Sequence, residues 1–465
     1  MFKRTLGAAA LAVLATASSS VAQQAVPHLE YETFTLPNGL TFIVHEDHST
    51  PLVAVNVWYD VGSANEPEGR SGFAHLFEHM LFQETENLEK GAIMELIPAA
   101  GGEFNGTTNT DRTNYFEVLP SNRLNLAFFI HAEQMARLRV TDENFDRERE
   151  VVKEERRMRI ENQPYGMALG ETLDTLMQDW KPYKHSVIGS MADLDAATTD
   201  DVRAFYRDYY VPNNATIAVA GDVTVAEVRE LAEEYFGDIP RGPEIASLPP
   251  LPPTPRTDGE RRVTMEDRLA TLPLIAMGFN IPEHDHADTY PLQLLASIFA
   301  TGESSRLNQR LVKDEKVALT VQSGLNSRMG PGAFLFFSLP NQGVGLDRIE
   351  ALIDEEIEKL KAEGVTEREL EKAKNQLRMG EIRMRQTAYG ISESLQHYRR
   401  YHGDPGAINT DLDNYMAVTA EDIRAVANKY LVPANRTVIH VVPPSQVSDA
   451  EEARAGSGSS TSAQD

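Results

Sequence analysis

The sequence predicts an α+β fold of two homologous halves, each a mainly antiparallel sheet with helices packed on it. The chain has 465 residues, 41% of them hydrophobic, and single cores stop growing near ~250–300 residues, so at least two domains are expected. Strand-like alternation comes in blocks that are followed by blocks with helical spacing, which is typical of helices on an antiparallel sheet. A long internal repeat then divides the chain into similar parts.

The first strands follow from alternating hydrophobicity and turn chemistry. Residues 31–36 and 40–45 alternate on either side of Asn38-Gly39, a dipeptide suited to the positive φ angles of a tight hairpin turn. Residues 52–62 are rich in β-branched and aromatic side chains, which favours a third strand.

Helices are predicted where apolar residues recur every three or four positions. Residues 71–83 have this spacing, and similar patterns return at 122–139 and 142–161. The strand block is therefore followed by helices that share apolar faces.

The internal repeat joins residues 198–219 to residues 418–441 under a shift of 221 positions. Each copy reads as an amphipathic helix, a Val-Pro break and a strand. Solenoid units have only ~20–50 residues, so duplication of a whole domain explains the repeat better. The matched pairs include Thr198 with Thr419, Asp201 with Asp422, Arg203 with Arg424, Tyr209 with Tyr430, Pro212 with Pro433 and Asn214 with Asn435.

The N-terminus has the layout of a secretory signal peptide. Lys3 and Arg4 precede an apolar run over 6–17 and the small-residue site Ser20-Val21-Ala22. A membrane-spanning helix needs about 20 apolar residues, so no stable membrane anchor is expected. We expect export after cleavage at residue 22, with the periplasm favoured and secretion beyond the cell as the alternative.

Domain boundaries follow from composition. We expect a first domain over 23–240, a proline-rich linker over 241–262 and a second domain over 263–445. The last segment, 446–465, is small, polar and charged, and it predicts a disordered tail.

Charge and cysteine content exclude some functions. The net charge is −26, and removal of Lys3 and Arg4 leaves 42 basic against 70 acidic residues, a net charge of −28. This balance argues against nucleic-acid binding; it could attract basic peptides or serve only solubility. The chain has no cysteine, so it has no disulfides, and any metal must be held by histidine and carboxylate side chains.

The stretch "HLFEH" carries the chemistry. His75 and His79 lie four apart and share a helix face, so both imidazoles can bind one tetrahedral metal ion. Glu78 can act as general base on a water whose pKa zinc lowers to about 7. The order His-x-x-Glu-His is the inverted zinc-peptidase motif, although two such histidines are often ordinary surface or core residues.

A catalytic zinc needs a third protein ligand, and the acidic segment 142–161 supplies candidates. Composition alone leaves four of them open, namely Glu148, Glu150, Glu154 and Glu155.

Three ordered motifs, "GFAHLFEHMLFQ", "GGEFNGTTNTDRTNYF" and "FDREREVVKEE", resemble the pitrilysin/insulysin (inverzincin) family of zinc metallopeptidases. The closest likeness is the short-chain branch with mitochondrial processing peptidase and its bacterial relatives, over roughly residues 30–445. The resemblance implies a clamshell of two halves that binds one zinc ion through His75, His79 and Glu155. It makes Glu78 the catalytic base and places Glu148 at a second acidic position that supports catalysis.

The resemblance also implies a substrate-binding strand edge. The residues expected there are Glu103, Phe104, Asn105, Gly106 and Thr107. Asn105 matches the family's asparagine, whereas Gly106 replaces the usual alanine, which leaves extra room and weakens strand propensity. An extended peptide would add to this edge as a further strand.

The second half departs from the family pattern. Val312 and Leu319 stand where the family has an arginine and a tyrosine that bind the substrate carbonyl, and neither side chain donates a hydrogen bond. Either Arg306 or Arg310 substitutes, or a homologous partner supplies the pair. We favour the partner, which makes this chain the zinc-bearing subunit of a heterodimer.

The leading function is therefore zinc endopeptidase activity on unfolded or short peptides. The alternatives are a processing peptidase for exported precursors and a non-catalytic scaffold subunit. A second histidine pair, His284 and His286, lies after a proline in "IPEHDHADTY", where a polar loop is favoured over a metal site.

Overall fold

A computed structural model describes residues 26–444. The predicted signal peptide and the predicted disordered tail lie outside these residues. Among the described residues, no helix is long and apolar enough to cross a membrane.

The described part of the first half contains six strands and eight α-helices. Their order is β1 Glu32–Thr35, β2 Thr41–Glu46, β3 Leu52–Tyr59, α1 Phe73–Leu81, α2 Ala92–Ala99, β4 Glu103–Thr108, β5 Thr113–Pro120, α3 Leu124–Ala136, α4 Asp142–Arg156, α5 Leu173–Met177, α6 Met191–Ala196, α7 Thr199–Tyr209, β6 Ala215–Gly221 and α8 Val225–Phe236. The strands form one sheet in the order β1-β2-β6-β3-β5-β4. Only the β2–β6 pair is parallel.

The described part of the second half follows as β7 Arg261–Glu266, β8 Leu274–Ile281, α9 Thr289–Ala300, β9 Ala318–Asn326, β10 Gly332–Pro340, α10 Leu346–Glu363, α11 Glu367–Met384, α12 Ala388–His402, α13 Asp411–Ala417, α14 Ala420–Tyr430 and β11 Arg436–Val442. Its sheet has the order β7-β11-β8-β10-β9, with β7–β11 as the parallel pair. Both sheets are thus mixed but mainly antiparallel, and the predicted fold class is confirmed.

Local sequence explains where these elements begin and end. The predicted hairpin is β1–β2, with Gly39 at a φ of +98°. The helix predicted over 142–161 is α4 followed by a wider π-helical turn, Arg157–Glu161. Strand β7 begins at Arg261, so the second sheet starts inside the segment predicted as linker.

The repeat is visible in the structure. A shift of 221 residues carries the bounds of α7 onto those of α14, and the bounds of β6 onto those of β11. Both helices start with a capping box, Thr198 with Asp201 and Thr419 with Asp422. The equivalent threonine and aspartate satisfy backbone N–H groups that would otherwise have no partner.

Each half contributes one helix that packs on the sheet of the other half. Each sheet packs one face against helices of its own half. The opposite face of the first sheet is covered by α12, through contacts such as Ile391 and Leu395 with Ile43 and Ala218. The opposite face of the second sheet is covered by α5, which contributes Leu173 and Met177 to a cluster with β8, β10 and β11.

A buried hydrogen-bond anchor fixes α12 on the first sheet. The Gln396 amide donates to the carbonyl oxygens of Asn56 and Thr216 at 2.9 and 2.7 Å. Arg399 adds an ion pair in which its Nη1 donates to both Asp60 carboxylate oxygens, at 2.7 and 2.8 Å. The second half therefore holds the first sheet in place from behind.

Candidate metal centre

Helix α1 carries two of the three predicted metal ligands, His75 and His79, and its N-terminus is fixed by Glu66. The buried Glu66 carboxylate accepts hydrogen bonds from the backbone N–H groups of Gly72 and Ala74 at 2.9 and 2.8 Å. Burial raises the pKa of Glu66 well above its usual value, against the effect of these hydrogen bonds. Gly72 has a φ of +92°, and a Cβ there would lie 2.6 Å from the Ile188 carbonyl oxygen. Only glycine fits this helix start.

His75, His79 and Glu155 converge on one point. The Glu155 Oε2 atom lies 3.5 Å from His75 Nε2 and 3.2 Å from His79 Nε2. One ligand atom from each of the three residues falls within 4.8 Å of the other two. Ligands at zinc–nitrogen and zinc–oxygen distances of about 2.0–2.1 Å stand about 3.3 Å apart in a tetrahedron. The spacing in the chain fits such an ion.

One of two buried polar atoms in this group supports the fit. Glu155 Oε2 and His75 Nδ1 are inaccessible to solvent, and neither makes a hydrogen bond of acceptable geometry with the described residues. Buried polar atoms of native proteins nearly always have a partner. A metal ion bound by the three side chains would satisfy the carboxylate oxygen, while Arg159 fixes the other oxygen, Oε1, at 3.0 Å.

The structure distinguishes the four acidic candidates on α4. Glu155 faces both histidines, and Glu148 lies with its Oε2 3.8 Å from His79 Nδ1. Glu150 and Glu154 are exposed and pair with Lys153 and Arg157. Glu148 thus faces the Nδ1 side of the His79 ring, the position from which outer carboxylates orient histidine ligands in metal sites.

The two imidazoles differ in basicity when no metal is bound. Burial lowers the pKa of His75 to about 4, and the neighbouring His79 adds to this effect. Burial also opposes protonation of His79, but Glu148 and Glu155 outweigh it and raise the pKa to about 9. The His79 imidazole beside Glu155 lowers the pKa of that carboxyl.

Glu78 lies beside the ligands and faces strand β4. Burial raises its pKa, against a hydrogen bond of 2.5 Å that the Thr108 hydroxyl donates to its Oε2 atom. Gly106 on the same strand lies against the Glu78 side chain, and a Cβ there would be 3.2 Å from Glu78 Cγ and 3.3 Å from Oε1. The extra room predicted at Gly106 is therefore filled by the side chain of the predicted base.

Strand β4 forms the edge of the first sheet, and its outer side pairs with no other strand among residues 26–444. The predicted substrate residues all lie on it, with Glu103 and Asn105 exposed, Phe104 and Thr107 half-buried and Gly106 buried. The edge borders a cleft of about 1020 Å³ that also contains His75, Glu78 and Glu155. Exposed apolar side chains in this cleft are Met94, Val151 and Met158.

Two residues of the second half, Val312 and Leu319, stand where the family pattern has hydrogen-bond donors. Val312 packs against the core of its own half, and Leu319 on β9 is 55% exposed. Arg306 makes a bidentate ion pair with Glu369 at 2.6 and 2.9 Å.

Arg310 is also engaged within the second half. Its guanidinium pairs with Glu315 and Glu355, each at 3.1 Å. Both arginines that could replace the missing pair are therefore held by carboxylates of their own half.

Sequence reasoning missed two contributors. Glu66 has no periodic or motif signal, because its role depends on a long loop that returns to the start of α1. Thr108 directly follows the predicted edge residues, and the expectation that the edge borders the metal could have suggested it.

Known proteins match both halves of the chain. The description "Insulinase (Peptidase family M16)" matches residues 41–189, and "Peptidase M16 inactive domain" matches residues 196–377. The zinc protease PqqE of Helicobacter pylori is 31% identical over 443 residues, which cover 95% of this chain and 99% of that protein. The probable mitochondrial-processing peptidase subunit beta of Arabidopsis thaliana is 25% identical, covering 89% of this chain and 78% of that protein. Among solved structures, a protease from Helicobacter pylori has a TM-score of 0.85 at 30% identity, over 90% of this chain and 100% of the other.

Proposed function

The chain belongs to the M16 (insulinase) peptidase family, and from this premise we propose that it is a zinc-dependent endopeptidase for unfolded or short peptides. The observation that carries the proposal is the convergence of His75, His79 and Glu155 beside Glu78 and an open strand edge. His75, His79 and Glu155 would hold one zinc ion. When bound, zinc would supply a Lewis acid that polarises water and the peptide carbonyl.

The remaining steps belong to the chain's own residues. The backbone of β4 binds an extended peptide by hydrogen bonds, which places few demands on its sequence. Apolar walls of the cleft accept side chains that a folded substrate would keep buried. Glu78 takes a proton from the attacking water and returns it to the leaving amine. Burial raises the pKa of Glu78, which makes its carboxylate a stronger proton acceptor.

Glu148 acts as a positioning residue. Its carboxylate lies beside His79 Nδ1, where it favours the tautomer that leaves Nε2 free for the metal. Glu66 has a comparable role at one remove, because it fixes the start of the helix that presents both histidines.

The proposal includes a partner subunit. Val312 and Leu319 cannot donate hydrogen bonds, and Arg306 and Arg310 are engaged elsewhere. A homologous chain would supply the arginine and tyrosine that bind the substrate carbonyl. The name of the Arabidopsis relative, a subunit beta, describes that protein as part of an assembly. Co-purification from the native host tests this point, and full peptidase activity of the isolated chain would contradict it.

The proposed location is the periplasm, on the strength of the N-terminal sequence. Sequencing of the mature N-terminus should find Gln23 as its first residue, and fractionation of the native host should recover the chain with periplasmic markers. Recovery of the chain with residues 1–22 still attached would contradict export by this route.

The decisive experiment compares wild type with Glu78→Gln, measuring zinc content and cleavage of a fluorogenic peptide library with the co-purified partner present. Glu78→Gln should keep its zinc and lose roughly 10²–10⁴-fold in kcat, the usual contribution of a general base. Glu150→Gln on the exposed side of α4 is the control and should keep full activity. A zinc-free wild type, or a fully active Glu78→Gln, would refute the hydrolase and leave the scaffold function.

A further inference from the structure

A second histidine cluster lies outside the first metal centre. His284 follows β8, and His397 and His402 lie on α12. One nitrogen from each of the three imidazoles falls within 4.8 Å of the other two. The sequence pair His284–His286 suggested only a polar loop; in the structure His284 instead meets residues more than a hundred positions away.

The nitrogen atoms of this cluster have the spacing of metal ligands. His284 Nε2 lies 3.1 Å from His402 Nε2, close to the separation of about 3.3 Å between two ligands of a tetrahedral zinc ion. The His397 ring centroid lies 5.0 Å from that of His284 and 6.2 Å from that of His402. One nitrogen of each ring thus lies within reach of a shared ion.

The other nitrogen of His284 is already oriented. Its Nδ1 atom lies 2.9 Å from the Ser327 hydroxyl, and its backbone N–H donates to the Arg328 carbonyl at 2.8 Å. Metal-binding histidines commonly have such an outer hydrogen bond, which fixes the ring and its tautomer.

The cluster has room for a further ligand. His284 and His397 line a cavity of about 260 Å³, whose other walls include Glu381, Glu393 and Asp411. Three imidazoles without a thiolate suit zinc, copper or nickel better than magnesium or calcium. The cavity can admit water to the fourth position of such an ion.

The position of the cluster indicates what a bound ion would do. His284 lies at the end of the second sheet, whereas His397 and His402 belong to the helix that covers the first sheet. Tyr401 of that helix contacts the His284 ring, with ring centroids 5.0 Å apart, and donates a hydrogen bond to Asp111 at 3.3 Å. Asp111 lies in the turn between β4 and β5.

We propose that His284, His397 and His402 form a structural site for a divalent transition-metal ion, which fastens α12 between the two halves. The site is separate from the peptidase centre and raises the metal content above the single zinc ion expected from the sequence. It stabilises the face of the first sheet that lies behind the substrate edge.

The test separates the two sites by mutation of the full mature chain. Metal-stripped wild type, His79→Ala, His402→Ala and the double variant are dialysed against zinc chloride, and zinc per chain is measured by mass spectrometry. We expect two equivalents in wild type, one in each single variant and none in the double variant. His286→Ala removes an imidazole from the same loop outside the cluster and should keep both equivalents.

A thermal melt provides a second readout. Zinc should raise the Tm of His79→Ala, where only the proposed site remains, and should leave the Tm of the double variant unchanged. The zinc that His402→Ala retains at the peptidase centre shows that this variant is folded. A zinc-free and folded His79→Ala overturns the second site without bearing on the peptidase mechanism.

Discussion

Replacement of Gly106 by alanine tests whether strand β4 fixes the position of the Glu78 side chain. The added Cβ would lie 3.2 Å from Glu78 Cγ, 3.3 Å from Glu78 Oε1 and 3.1 Å from Phe82 Cε2. Carbon atoms are in optimal contact at ~3.5–4.0 Å, so the Glu78 side chain must move by about 0.3 Å or more. Neither His75 nor His79 is among the three nearest contacts.

The expected loss of activity follows from this displacement. A misplacement of about 1 Å in an active site can cost roughly 10²-fold in rate. If the logarithm of the rate falls in proportion to distance, a shift of about 0.3 Å lowers kcat about fourfold. Overpacking costs about 1–3 kcal/mol and outweighs the gain of about 0.4–1 kcal/mol from a stiffer unfolded chain, so Tm should fall as well.

The assay measures kcat, zinc content and Tm for Gly106→Ala beside Gly324→Ala. Gly324 lies on β9, the edge strand of the second sheet, and a Cβ there would meet no described atom within 4 Å. Gly324→Ala should therefore keep wild-type activity and gain slightly in Tm. If Gly106→Ala also keeps wild-type kcat and Tm, strand β4 can shift to accommodate the added Cβ, and Gly106 does not fix the position of Glu78.

Three further predictions test other parts of the structure. Glu148→Gln should weaken zinc binding roughly 10–100-fold, because the carboxylate beside His79 loses its charge. Competition with a chromogenic chelator measures the zinc affinity. An unchanged affinity would exclude the positioning role of Glu148. Gln396→Leu should lower the free energy of unfolding by about 2–4 kcal/mol, since two buried carbonyls lose their donor; urea denaturation measures it, and a loss near zero would mean that α12 is not anchored there. Burial opposes ionisation of Glu350, but hydrogen bonds led by Arg262 outweigh it and lower the pKa from 4.5 to about 2. Its stabilising contribution is thus complete above pH 4.5 and is lost as pH falls toward 2, so wild type should lose more Tm over that range than Glu350→Gln, and parallel acid profiles would contradict this.

The fold was predictable because its signals are local. Alternation, the Asn38-Gly39 turn and the threonine–aspartate capping boxes each act within a few residues, and the repeat shows that they act twice. The exchange of α5 and α12 between the halves was not predictable. The apolar residues of both helices predict that one face is buried, but their periodicity does not indicate which sheet that face packs against.

The candidate site likewise contains residues that local spacing predicts and residues that depend on contacts between distant segments. His75, Glu78 and His79 lie on one helix, so their spacing predicted their convergence. Among the acidic residues of α4, spacing alone left four candidates, and only the packing of α4 against α1 places Glu155 at the histidines. Glu66 and the cluster around His284 depend on contacts between distant segments, which no single-sequence pattern encodes.

The difference between the two halves accords with the proposal that this chain holds a metal ion but lacks part of the substrate site. In element order α9 is the counterpart of α1, because it follows β8 as α1 follows β3, and most of its residues are buried in the second core. Helix α9 contains no histidine and no acidic residue, so the second half keeps the fold of the first without its chemistry. Its open edge, β9, is the counterpart of the substrate edge β4, and there the exposed Leu319 replaces a polar donor. A duplicated domain that keeps its fold and its edge strand but has no counterpart of the first metal centre fits a packing partner for the first half, in agreement with the proposal that another chain supplies the missing donors.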